Sequence, residues 1–339
     1  MRRIRGTYKI MHRENIPIKQ IPLPDYELYR AQLCAANHLV LPLRPVMFRP
    51  EGILSVLPLP LKKGQTGWPW DKESAVCFTG ADHSPKISVV IPSFNQGDFI
   101  EETLRSVLLQ NYPLLELIVM DGASNDATHQ VLDHYRDFIG LAISEKDRGQ
   151  SHALNKGFAV ASGSLYFWLN SDDFLTMDSF NRIVPEFMGD PGLDIAYGHG
   201  LITDETGQLR FEYAPLVKDR YLRFGGIVLS HSVMWRERVH CRIWEDLQCA
   251  MDAELWLRLF PGRKSKHLYF PIGVFRKHAD QKTSLSTMVA KWDRDFQQFI
   301  WPAYTAIDAK SWRRRKMEFR LVQRLHQCLH PYKFTRKRG

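Results

Sequence analysis

Two adjacent carboxylates, Asp172 and Asp173, close the segment Asn170-Ser171-Asp172-Asp173, directly after the apolar run Leu165-Tyr166-Phe167-Trp168-Leu169. Like charges at the mouth of a buried strand repel and lose their water, and a divalent cation removes that cost. Hard carboxylate oxygens suit Mg2+ or Mn2+, which take one or two protein carboxylates and complete their shell with water and substrate phosphates. The alternative is a helix cap, a role Asp fills well. Asp121 ends a second apolar run, Leu115 to Met120, and Asp252 stands near the start of MDAELWLR. A carboxylate held beside a substrate hydroxyl serves as a general base.

These residues need elements to bring them together. Lys86 to Ile91 reads as a strand stopped by Pro92, followed by Ser93-Phe94-Asn95-Gln96-Gly97 and a helical stretch from Asp98 to Gln110. Leu115 to Met120 is a second strand with another helix beyond Asp126, and Gly149 to Ala161 is a helix leading to the aromatic strand. Strand, loop and helix repeated with short connections predict an α/β fold with a mostly parallel sheet flanked by helices. Ligands sit beyond the carboxyl ends of such strands, where Asn95, Asp121 and Asp173 all fall. Arg148 beside the helix start at Gly149 makes an anion site suited to a diphosphate. Asn155 stands one turn beyond Ser151 on the same face, with a helix-to-loop hydrogen bond as its alternative, and Lys156 reads as solvated.

The ordered set ISVVIPSFNQGDFIEETLRSVLLQNYP, LELIVMDGASNDAT, SEKDRGQSHALNKGFAVASG and LYFWLNSDD resembles glycosyltransferase family 2. The resemblance covers roughly residues 86 to 282. It implies a GT-A-type, Rossmann-like fold and a nucleotide-sugar donor. It also implies an inverting, metal-dependent transfer to a hydroxyl acceptor in polysaccharide, lipopolysaccharide or other cell-envelope glycan assembly. Carried over position by position, it gives Pro92, Ser93, Phe94 and Asn95 to the base and ribose, with Phe94 stacking on the base. Asp121 accepts from a base N–H, consistent with a uridine nucleotide, and Arg148 and Asn155 complete the nucleotide-sugar site. Asp172 contacts ribose or sugar, Asp173 is the direct metal ligand, and His278 in Arg276-Lys277-His278 reaches back to metal or diphosphate. Ser171 stands where the family often has an acid, and Met120 where it often has the first of two. Asp252 falls in the acceptor-side acidic motif as the base, against a cap role or a base at Glu254 or Glu245-Asp246. His231 and Trp256 are candidates for the acceptor cleft, each with a structural alternative.

A nucleotidyltransferase shares the need for carboxylates, metal and nucleotide, but the chain lacks a Gly-rich loop for it. A non-catalytic nucleotide-sugar-binding subunit is the other alternative, opposed by the intact Asp173 and Asp252. No G-x-G-x-x-G follows the first strand, which disfavours a dehydrogenase.

The 339 residues are 44% hydrophobic, enough for a sizeable core. Five cysteines without Cys-x-x-Cys spacing give neither a disulfide framework nor a zinc site. Absence of a signal peptide or bilayer-length apolar run predicts a cytoplasmic protein, with any membrane contact peripheral at the inner face. The net charge of +9 suits anionic substrates, and no nucleic acid is expected. Eight prolines between Pro17 and Pro60 break residues 1–84 into an extension draped on the core, with one short helix near Tyr26 to His38 and a Trp68-Pro69-Trp70 segment. Residues 85–283 form the catalytic domain and 284–339 a basic, helical C-terminal extension. In it, Trp312 to Leu329 is amphipathic, which fits either core packing or docking at a membrane interface that holds a lipid-linked acceptor.

Overall fold

The computed structural model describes residues 21–78, 84–203, 208–217, 228–278, 286–300 and 309–331. Asp204 to Gly207, where the residue types favour a turn, and Lys282, Thr283, Tyr304 and Arg336 to Arg338 lie outside them. The four strands β1 (Ile87–Ser93), β2 (Leu115–Asp121), β3 (Leu141–Ser144) and β4 (Leu165–Trp168) are all parallel, in the order β3-β2-β1-β4. β1, β2 and β4 are buried at every position, as expected for strands covered by helices on both faces.

Beyond β4 the sheet changes character. β8 (Val233–Arg236) pairs antiparallel to β4, followed by β6 (Ile195–Thr203), β9 (Ser265–Arg276) and the two-residue β5 (Phe174–Leu175), while β7 (Leu209–Glu212) hangs on β6. β6 and β9 run parallel with a register shift at Gly198 and His199. The nine-stranded sheet is therefore parallel in its first half and mixed in its second. Because β8 reverses and β6 reverses again, the carboxyl ends of β6 and β9 lie on the same edge as those of β1, β2 and β4.

Helices α2 (Ile100–Leu108), α3 (Thr128–His134), α4 (Gln150–Val160) and α5 (Ser179–Gly189) cover the sheet, and α6 (Met251–Leu259) precedes β9. Val90, Ile118, Leu154, Phe158, Trp235 and Trp256 belong to one apolar layer, and Val89, Leu104, Leu117, Phe167, Phe180 and Ile183 to the other. α1 (Tyr26–Asn37) contacts α4, with Asp25 capping its first turn through Glu27 N–H. Arg105 of α2, 1% exposed, donates to the carbonyls of Pro58, Pro69 and Trp70 and to the Tyr135 hydroxyl. Glu101 accepts from Leu61 N–H at 2.7 Å. The segment around residues 58–70 is thus fastened to α2 from inside the protein. At the far end, α7 (Ser286–Arg294) and a π-helical turn (Asp295–Ile300) lead towards α8 (Ala309–Leu329).

Candidate nucleotide-sugar site

The parallel register lines up one polar residue from each of three strand ends, Ser93 beside Asp121 and Asp121 beside Ser144. Asp121 Oδ2 accepts from Ser124 N–H and Ser144 Oγ, and Oδ1 from Ser124 Oγ. Three of the roughly four lone-pair directions of the carboxylate are used, leaving one on Oδ1 for a further donor. Ser124 therefore orients Asp121 and does not begin α3. Asn95, at φ 52°, donates its N–H to the Ser124 hydroxyl and accepts from Asn125 N–H with its side-chain oxygen. Phe94 projects from this turn with 59% of its surface exposed, over Gly122, where a Cβ would stand 2.8 Å from Asp147 and 3.2 Å from the Phe94 ring. Its exposure leaves a ring face open to a planar ligand, and Pro92 is buried behind it.

Asp172 and Asp173 end differently. No helix begins until Ser179, so the pair is not a cap. Asp173 is fully buried: Oδ1 accepts from Arg276 N–H at 3.1 Å, and Oδ2 from Asn170 Nδ2 at 3.1 Å with His231 Nδ1 at 3.5 Å. Burial, then the neighbouring Asp172 charge, raise its pKa. Asp172 Oδ2 instead lies 3.2 Å from His278 Nε2, and the His278 ring packs on Phe99 at 4.3 Å. The carboxylate facing the imidazole is thus that of Asp172, while that of Asp173 is engaged within the fold. Among the described residues no group of three or more His, Cys, Asp or Glu could hold a metal ion. A carboxylate and an imidazole nevertheless fit a hard cation that takes its other ligands from water and a diphosphate.

α4 starts at a cavity of about 430 Å³ lined by Arg148, Gly149, Gln150 and Ser151 on one side and Glu245 to Gln248 and Met251 on the other. Among the described residues, Ser151 Oγ is buried there with no hydrogen-bond partner, and Ser93 Oγ is likewise buried and unpartnered at the end of β1. An orphaned buried hydroxyl costs on the order of 1–3 kcal/mol, and a bound ligand removes that cost. Gln150 Nε2 donates to Asn170 Oδ1, joining the α4 start to the Asp172 turn.

Other expected ligands have structural roles. Asn155 is fully buried and takes the second of its two readings: it bonds Ile243 through both backbone groups, the Tyr26 hydroxyl and Glu245. Its amide fixes the 243–245 loop and reaches no open cleft, contrary to a nucleotide contact. The Arg148 guanidinium turns onto Glu245 and the Tyr29 hydroxyl. Lys156 is not solvated but 5% exposed, paired with Glu145 at 2.5 Å. Trp256 is a core residue donating to Val228 O, and His231 stands behind Asp173, not in a cleft. The tyrosines of α1 and the hydroxyls of Ser124 and Ser144 escaped sequence reasoning. A hydroxyl closing an apolar run, as Ser144 does, was the available signal for the latter.

Asp252 lies in the first turn of α6, one residue past the cavity-lining Met251, and Oδ1 accepts its neighbour Ala253 N–H at 2.7 Å. Burial raises its pKa to about 6, with backbone hydrogen bonds pulling the other way. Glu254 forms a two-point pair with Arg258 at 2.6 Å, Glu245 is held by Tyr29, Arg148 and Asn155, and Asp246 accepts from Trp244. Of the four acids considered for a base, Asp252 is the one without a side-chain partner among the described residues.

A second cavity of about 720 Å³ adjoins His278 and is lined by Trp68, Trp70, Phe99, Phe174 and Arg276. Trp68 Nε1 is tied to Leu175 O, so the N-terminal segment forms one wall of this space.

The profile of "Glycosyl transferase family 2" matches residues 88–234, the segment from β1 to β8. The chain is 30% identical over 182 residues to a Bacillus subtilis protein named for teichuronic acid biosynthesis, the glycosyltransferase TuaG, covering 52% of this chain and 72% of that one. It is 29% identical over 143 residues to poly-beta-1,6-N-acetyl-D-glucosamine synthase of Staphylococcus aureus, covering 40% of this chain and 34% of that enzyme. Chondroitin synthase of Escherichia coli is 27% identical over 194 residues, 54% of this chain and 28% of that one. The chain thus spans 34% and 28% of the two synthases. The structure of Staphylococcus aureus TarS with UDP-GlcNAc aligns at a TM-score of 0.49 and 17% identity over 74% of this chain and 76% of that chain. With the family's motifs placed in order along one sheet edge and a relative matched over most of its length, the chain belongs to glycosyltransferase family 2.

Proposed function

We propose that this glycosyltransferase moves a sugar from a uridine diphosphate donor to a hydroxyl of a cell-envelope glycan or lipid-linked glycan, with inversion at the anomeric carbon. The observation that carries the reading is the pair of buried, unpartnered hydroxyls, Ser93 and Ser151, on the sheet edge where Asp172 meets His278. In this reading Phe94 stacks on the base and the open lone pair of Asp121 receives its N–H. Ser93 and Asn95 line the ribose, and Ser151 with the α4 amino terminus receives the diphosphate. Asp172 and His278 would hold Mg2+ or Mn2+, with Asp173 buttressing the turn from behind. The cation's contribution is to offset charge on the departing nucleoside diphosphate.

Asp252 removes the proton of the attacking hydroxyl. A carboxylate poised near pH 6 is ionised at neutral pH yet basic enough to accept a proton, which suits that task. Attack from the face opposite the leaving group inverts the anomeric centre. Contact of the basic C-terminal extension with a membrane would bring the enzyme to lipid-linked acceptors.

Calorimetric titration of nucleoside diphosphates and nucleotide sugars, with and without Mn2+, tests the donor site. Metal-dependent binding of one nucleotide, weakened by Asp172→Ala, is expected. Absence of binding by every nucleotide under both conditions refutes the donor site.

A further inference from the structure

The membrane contact just proposed has an identifiable surface on α8. One face of this helix is fastened to the domain: Phe319 is buried, Gln323 makes a two-way backbone clasp with Leu216, His326 packs on His267, and His330 stacks on Tyr269 at 4.2 Å. Successive residues turn by about 100°. Met317, Leu321, Leu325 and Leu329 therefore form a stripe roughly 120° wide, centred about 150° from the fastened face. All four are more than half exposed, at 66%, 61%, 54% and 75%. Arg320 and Arg324 run along one edge of the stripe, exposed, with Arg314 and Glu318 on the stripe itself, Glu318 between Leu325 and Leu329.

We infer that this face of α8 is a docking surface for an anionic lipid bilayer. An apolar stripe inserts at the boundary of headgroups and acyl chains, while guanidinium groups beside it engage lipid phosphates. The geometry matches an interfacial helix more closely than a core helix, because the face that packs on the protein is the other one. The helix lies along the surface and does not cross it; among the described residues no helix is long and apolar enough to span a bilayer.

Co-sedimentation of the full chain with lipid vesicles tests this. Vesicles containing about one third phosphatidylglycerol should retain the protein, and pure phosphatidylcholine should retain far less, with binding falling as salt rises. The double variant Leu321→Glu/Leu325→Glu, at positions already exposed, should keep its circular dichroism spectrum and lose about tenfold or more of vesicle affinity. Arg320→Glu/Arg324→Glu should lower binding to anionic vesicles specifically. Equal retention of wild type and both variants, or no retention of wild type at low salt, overturns the inference. A wild-type dimer that becomes a monomer in the leucine variant, without vesicle binding, also overturns it and assigns the stripe to a second copy. Nucleotide binding measured on the same proteins reports separately on sugar transfer, so either reading can fail alone.

Discussion

The two halves of the sheet position chemistry by different means. In the parallel half, each candidate ligand for the nucleotide stands at or just past the end of its own strand: Ser93 and Asn95 after β1, Asp121 on β2, Asp172 after β4. Strand register alone brings them into line. In the mixed half, the groups meet across long stretches of chain: His278 reaches Asp172 from 106 residues away, and Arg276 N–H reaches Asp173 from 103. The strand-end group of the candidate site is thus written into local motifs, while the Asp172–His278 and Asp173–Arg276 contacts depend on the completed sheet.

Removing the base should give the largest effect. Asp252→Asn is expected to lower turnover by about 10²–10⁴-fold while nucleotide affinity, which rests on the parallel half, stays unchanged in calorimetry. The rate should also follow the ionisation of this carboxylate. Below pH about 6 Asp252 becomes protonated and the rate declines with falling pH; above it the rate levels off, and the Asn variant loses this limb. A fall in nucleotide affinity equal to the fall in turnover would merge the two halves into one unit.

The paired aspartates offer a sharper division. Asp172→Ala should cost at least about tenfold in metal-dependent nucleotide affinity with little change in unfolding midpoint. Asp173→Asn should instead lose about 1–3 kcal/mol of stability in urea titrations, because an acceptor for buried donors is replaced in part by a donor. Exchanged outcomes would return the metal to Asp173. Phe94→Ala is expected to remove about 1–3 kcal/mol of nucleotide affinity through lost stacking. Because the ring is exposed, its unfolding transition should be unaffected. The smallest functional effect belongs to Asn155→Ala, which should destabilise the chain by about 1–3 kcal/mol and leave the calorimetric nucleotide affinity near that of wild type. A selective loss of affinity there would restore Asn155 to the ligand site.

The contrast also explains what could be read in advance. Apolar runs and short loops announced the strands and the carboxyl-edge location of Asn95, Asp121 and Asp173, since both follow from local order. The Asp172-Asp173 pair was legible as a charged turn closing a strand, but the surroundings of each carboxylate were not: burial of Asp173 is decided by β9, whose backbone no local pattern brings near. Lys156 and Arg148 show the same limit. Their charge suggests solvent or phosphate, yet Glu145 and Glu245 occupy them in the fold. Asn155 looked available because its partners Tyr26 and Ile243 lie 129 residues before it and 88 after it.

The buried guanidinium of Arg105 bears on how the chain folds as it is made. Three carbonyls from residues 58–70 converge on it, so that segment leaves the ribosome before its anchor exists. The Tyr26 hydroxyl waits longer, for Asn155 and His240. Neither contact of this N-terminal segment can therefore form until its later partner has been synthesised. Deleting it would strip three carbonyl acceptors from a buried arginine and leave it the Tyr135 hydroxyl, so residues 21–78 are a finishing piece of the domain and not an appendage to be trimmed.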